Sequence, residues 1–160
     1  MFFFMGGLMR FFTLLLFLFM SATASADDAR VAQKAENLAK AYEKQCPKHG
    51  GKGAGGRQEG WKIWQPLPDG STLLIVDGWK LPCETVALCG TGGCFVQVHR
   101  LTTGRDKKLF AAQVLGWEMK NANAAHPSVF LDLHGSQCGR LGNEDCHKQL
   151  DAQTGKLTIQ

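Results

Sequence analysis

Net charge is the first thing this chain has little of. It carries 18 Lys and Arg against 14 Asp and Glu, spread along the sequence with no basic run. The electrostatic footprint of a nucleic-acid binder is therefore missing. No segment repeats another, which argues against solenoids and propellers. The glycine-rich stretch His49–Arg57 does not end in Gly-Lys-Ser/Thr, so it reads as a flexible connector and not as a cradle for nucleotide phosphates. The Gly-x-Ser-x-Gly elbow of many hydrolases does not occur. The six cysteines are an even number, which leaves no spare thiol for catalysis. Seven of the ten phenylalanines fall within the first 26 residues, so the apolar fraction of the whole chain overstates what the rest has for its core.

Those first residues form a unit of their own. One basic residue, Arg10, precedes the apolar run Phe11–Met20, and small residues ending in Ala24-Ser25-Ala26 follow. These are the three parts of a secretory signal peptide. Cleavage after Ala26 is expected. A membrane span needs roughly 20 apolar residues and this run is shorter, so no membrane association is expected after cleavage. Met1–Leu8 carries no charge, whereas Met9-Arg10 would open an ordinary leader, so Met9 is the alternative start. Removing Arg10 with the leader leaves 17 basic against 14 acidic side chains, a net +3. The remaining 27–160 suffices for one domain with its own core.

Export places the cysteines in an oxidising compartment, where three disulfides are expected. The pairing expected is Cys89–Cys94 and Cys138–Cys146 as local loops, with Cys46–Cys83 as a long staple. The spacing alone leaves other connectivities open.

The segment 28–46 reads as an amphipathic helix, with Val31, Ala35, Leu38 and Tyr42 on one face. Asp27 and Asp28 suit its positive end, Glu36 and Lys40 form an i,i+4 pair, and Pro47 stops it. The connector 49–59 follows. From Trp61 the pattern is β: 61–65 and 71–76 around Pro66–Gly70, then 94–101 and 109–117 around Thr103–Asp106, then 129–134, 146–151 and 156–160. Leu73–Val76 is apolar on both faces and predicts a central strand. In 129–134 strict alternation points Val129, Leu131 and Leu133 inward. The fold class expected is mainly β: an antiparallel meander, as a sandwich or partly open barrel, with one N-terminal helix and disulfide staples.

Three groups of residues bear on chemistry. Asp132, His134 and Ser136 alternate as acid, base and nucleophile if the strand continues, but residues two apart on a strand are roughly 6.6–7 Å apart, too far for a triad, and Gly135 is expected to end the strand before Ser136. Cys138, Cys146 and His147, with His134 nearby, match no compact zinc pattern, and in an exported chain the cysteines are expected as a disulfide. No metal and no cofactor is expected. In Trp61-Lys62-Ile63-Trp64 the two tryptophans fall on opposite faces, so one is outward unless the helix covers it. Burial under the helix is the reading favoured for it. An exposed Trp64 beside Lys62 would instead form a weak ligand-binding face for a sugar or peptide.

Two motifs remain: Cys89-Gly90-Thr91-Gly92-Gly93-Cys94 running into an alternating strand, and Leu133-His134-Gly135-Ser136-Gln137-Cys138-Gly139 followed by Cys146. In both, across roughly residues 83–150, the chain resembles small, uncharacterised exported proteins of proteobacteria. The resemblance implies a periplasmic location and supplies no activity. The expected function is a non-enzymatic binding or envelope-associated domain, its partner an envelope protein or glycan. A small hydrolase built on the Asp132/His134 strand edge is the alternative. A lysozyme inhibitor is disfavoured, because a net +3 would repel a basic lysozyme.

Overall fold

A computed structural model of the chain describes residues 27–45, 56–82, 89–122, 124, 126–142 and 144–160. The leader, its cleavage site, most of the connector and the expected Cys46–Cys83 pair lie outside the described residues.

Helix α1 covers 27–45. The chain divides into two units at Lys34/Ala35, inside this helix. In the first, Asp27 and Arg30 pair at 3.5 Å, one helical turn apart. In the second, Glu36 and Lys40 pair at 3.6 Å as expected. The buried positions of the helix are Val31, Ala35, Ala39 and Tyr42, so Ala39 takes the place expected for Leu38, which is half-buried. Both spacings fit a 3.6-residue period, and the stripe settles on the smaller side chain with leucine at its flank.

Five strands form the first sheet: β1 (Lys62–Pro66), β2 (Thr72–Asp77), β3 (Cys89–Gly90), β4 (Gly93–Thr102) and β5 (Arg105–Val114). The order is β1-β2-β4, with β5 on the far edge of β4 and the short β3 beside its first residues, all antiparallel. The expected turn before β2 is present. Asp69 Oδ1 accepts from the Ser71 amide at 3.0 Å and from its hydroxyl at 2.5 Å, the local bonding for which aspartate is favoured in turns. Leu73, Leu74, Ile75 and Val76 are all fully buried, as a strand covered on both faces requires. Tyr42 lies against Gly78 and reaches Cys89 Sγ at 3.8 Å.

The second sheet is a meander of β6 (Gly116–Lys120), β7 (Ser128–His134), β8 (Asp145–Asp151) and β9 (Leu157–Ile159). Leu73, Ile75, Val96, Val98 and Val114 of the first sheet share one core with Val129, Leu131, Leu133 and Leu150 of the second. Each such side chain contributes about 1.5–3 kcal/mol over exposure. Among the described residues the protein is therefore mainly β, with one α-helix and two open antiparallel sheets on a common core. Neither sheet closes into a barrel.

Two expected boundaries move. The segment 109–117, read as one strand, is cut at Leu115, whose N–H donates to the Asp132 carbonyl at 2.7 Å and so joins the second sheet. Local propensity cannot see that change of partner. The turn expected over Thr103–Asp106 shrinks to Thr103-Gly104, and Arg105 and Asp106 pair within the β4–β5 ladder.

Cys89–Cys94 and Cys138–Cys146 are bonded, and no described cysteine is free. Disulfides persist in oxidising surroundings, which places the folded chain outside the reducing cytosol. Among the described residues no helix is long and apolar enough to cross a membrane.

Candidate functional site

The two glycine- and cysteine-rich motifs meet. In the first, Cys89 and Cys94 stand directly opposite on β3 and β4, with Cα atoms 4.0 Å apart, and Thr91-Gly92 forms the tip. Gly93 has φ +91°, and a Cβ there would run into the carbonyl of Val114. Only glycine allows the hairpin to lie so close to the corner where the chain leaves β5. In the second motif, β7 ends at His134 and a 310 turn covers Gly135–Cys138. The bond to Cys146, across a Cα separation of 5.9 Å, closes that turn onto β8. Gly135 is buried where a Cβ would strike the Leu141 carbonyl.

Between them lies a cleft of about 520 Å³. Thr91 and Gly92 form one wall, His134, Ser136 and Gln137 the other, and Phe95, Ala112 and Gln113 come from β4 and β5. His134 Nδ1 is 2.8 Å from Ser136 Oγ. The Gln137 side-chain amide donates to the Gln113 carbonyl at 2.8 Å, and the Gln137 carbonyl accepts from Lys148 Nζ at 2.8 Å. The 310 turn is thus tied to both sheets. Among the described residues no carboxylate, lysine or arginine lines the cleft. Amide, hydroxyl and imidazole groups that can donate and accept surround one aromatic ring.

The acid–base–nucleophile trio expected to be too far apart splits in two. His134 and Ser136 do meet, contrary to the strand spacing, because the chain leaves the extended conformation at Gly135 and curls Ser136 back. Asp132 stays apart from them. Its register partner on β8 is His147, and Asp132 Oδ1 lies 3.3 Å from His147 Nδ1. Residues directly opposite on paired strands approach more closely than i,i+2 neighbours on one strand. The His147 ring also stacks on Phe130, with centroids 5.4 Å apart. The disulfide takes Cys138 and Cys146 out of the metal-ligand set that their spacing with His147 suggested.

The tryptophans are scattered: Trp64 is on β1 and Trp61 just precedes it, Trp79 sits in the 310 turn Gly78–Lys80 after β2, and Trp117, on β6, packs against the core. Trp64 is 37% exposed, so the burial beneath the helix expected for the outward tryptophan of the pair does not hold for it, and Trp79 is 50% exposed. Trp61 is half-buried. The Arg57 guanidinium lies 4.7 Å from its ring centroid and also donates to Glu36 (2.5 Å) and Glu43 (2.6 Å). That hydrogen bond holds the Glu36 carboxyl below its usual range. Lys62 Nζ stands 4.9 Å from the Trp61 centroid and 5.3 Å from that of Trp64.

Thr91, Phe95, Gln113 and Gln137 were not expected as site residues. The signal available for them was that each motif packs glycines between disulfide-bonded cysteines, which makes a short loop rigid. Compared with protein-family models, with curated proteins and with solved structures, the chain finds no match in any of the three.

Proposed function

We propose that the mature chain is an exported, periplasmic, non-enzymatic binding domain of the cell envelope, and that its ligand is a neutral glycan held in the cleft of His134, Ser136, Gln137 and Gln113. One observation carries the reading: two disulfide-closed motifs converge on a cleft that, among the described residues, holds no carboxylate, lysine or arginine and whose polar groups surround Phe95. Sugar hydroxyls both donate and accept, as do amides, hydroxyls and imidazole, and a sugar's apolar face packs on an aromatic ring. Walls fixed by disulfides and by Gln137 lose little entropy on binding, which favours a small ligand. The signal-peptide pattern and the resemblance to exported proteobacterial proteins support the location.

The test is glycan-array binding of the oxidised mature domain, followed by titration of the best neutral oligosaccharide. Gln137→Ala should weaken binding by about tenfold, the scale of one or two lost hydrogen bonds. Binding by no glycan, or equal binding by the variant, would sink the reading.

A hydrolase is the second reading, and the 2.8 Å His134–Ser136 contact favours it. Asp132, which that mechanism needs as orienting acid, faces His147 instead. A fluorophosphonate probe separates the two. The binding reading expects no adduct at Ser136 by intact mass. A Ser136 adduct would establish the nucleophile.

A further inference from the structure

At the other end of the β4–β5 hairpin lies a second cleft, of about 320 Å³, lined by Arg100, Thr102, Arg105 and Lys107. Its β4 residues are five and seven positions along the strand from Phe95, roughly 17–23 Å in an extended strand. We propose that this cleft binds a phosphate monoester, independently of the glycan reading of the first cleft.

The register of the sheet assembles it. Val98 pairs with Phe110 but His99 pairs with Lys108, so Leu109 is an extra residue on β5. Such a bulge shifts the alternation of every position beyond it. Arg100 therefore stands opposite Lys107, and Thr102 opposite Arg105. Directly opposite residues share a face, so three cations and one hydroxyl residue lie together. Without the bulge, Arg100 would face Lys108 and Thr102 would face Asp106. The bulge instead turns Asp106 to the other face, where its carboxylate is 3.1 Å from His99 Nδ1. The one acidic residue of the sequence Arg105-Asp106-Lys107-Lys108 is thereby removed from the cleft.

The remaining nearby carboxylates are committed. Asp69 pairs with Arg100 and accepts from Ser71. Asp151 accepts from the Thr154 amide (2.7 Å) and hydroxyl (2.8 Å) and from the Gln153 amide. Arg100 also donates to Ser71 Oγ at 3.0 Å and to the Gln153 carbonyl, which fixes it as part of the wall. Asp69 balances its charge. Lys107 Nζ has the Thr154 carbonyl at 3.5 Å, and among the described residues no carboxylate pairs with Arg105 or Lys107. Two uncompensated positive charges thus face one small space. A phosphate monoester carries a charge near −2 at neutral pH and three acceptor oxygens, which matches the pair in both charge and donors. Arginine offers a planar fork to phosphate and lysine a point charge.

A lipid headgroup and a soluble phosphorylated molecule share this chemistry, and the experiment has an arm for each. The oxidised mature domain is titrated with sn-glycerol 3-phosphate by calorimetry. It is also floated with phosphatidylcholine vesicles, with and without phosphatidic acid, at low and high ionic strength. The expected result is salt-sensitive binding in at least one arm, weakened about tenfold or more in the Arg105→Gln, Lys107→Gln double variant. Lys108→Gln, on the opposite face, is expected to bind as the wild type. Binding in the vesicle arm assigns the source to lipid, and binding of glycerol phosphate alone assigns it to a soluble ester. The proposal is overturned if neither arm binds, if the double variant binds normally, or if Lys108→Gln loses as much as the double variant. Both replaced residues are exposed, and an unchanged melting temperature checks that the fold persists.

Discussion

The side chain of Gln137 donates to the backbone carbonyl of Gln113 over 2.8 Å, binding the turn after β7 to the end of β5. One amide thus holds the wall of the cleft to the opposite sheet. Gln137→Ala should lower stability by about 0.5–1.5 kcal/mol, the net value of one such bond. The domain should remain folded. Urea unfolding of the oxidised protein measures it, and a loss above about 3 kcal/mol would show that the residue supports more than this tie.

Gly93 faces a harder constraint. Alanine there meets both a positive φ of 91° and the Val114 carbonyl. Backbone strain costs about 1–3 kcal/mol and forced overpacking about as much again, so Gly93→Ala should lose at least about 2 kcal/mol. Gly104→Ala is the control, because it shares the positive φ with nothing within 4 Å of the added atom. Equal losses in the two variants would deny the close approach of β4 to the corner.

The disulfides close short loops, with sequence separations of 5 for Cys89–Cys94 and 8 for Cys138–Cys146. Short loops remove little entropy from the unfolded chain. Replacing either pair by serine should therefore cost less than the roughly 3 kcal/mol expected for a 15-residue loop. Non-reducing peptide mapping should recover both pairs, with Cys46 joined to Cys83. Cys94 linked to Cys83 would overturn the pairing.

Stability should fall at both ends of the pH range. Burial, then the charge of Asp77, pushes the Tyr42 hydroxyl up to about 12 from its usual 10. Because the folded state favours the protonated form, its contribution is whole below pH 10 and is lost as pH rises toward about 12. Tyr42→Phe should abolish that alkaline loss.

At the acid end the sign reverses. Hydrogen bonds from Ser71 lower Asp69, and the Thr154 amide lowers Asp151. The folded state here favours the ionised form, so its stability is present above the ordinary aspartate value of 3.8 and is lost as pH falls below it. Melting temperature against pH checks both ends, and an acid limb unchanged in Asp69→Asn would remove that residue from the account.

Much of this architecture was written locally. The period of the helix, the unbroken apolar run Leu73–Val76, the alternation of Val129, Leu131 and Leu133, and the Asp-Gly turn before β2 each depend on a few neighbouring residues. Hydrophobic period and turn chemistry express such features directly. The two local disulfides were legible for the same reason, since short spacing in an exported chain leaves the cysteines few other partners.

What only the tertiary structure decided depends on residues far apart in sequence. The passage from one sheet to the other at Leu115 is invisible in a segment with strand propensity on both sides. The single extra residue at Leu109 reverses which of Arg105-Asp106-Lys107-Lys108 face Arg100, and no local pattern announces it. His134 and Ser136 meet because Gly135 ends the strand, while Asp132 turns to His147 because strand register sets the closest neighbours. Local periodicity specifies the faces of each element, but which faces meet is a choice of pairing, and pairing is settled by the packing of the whole core.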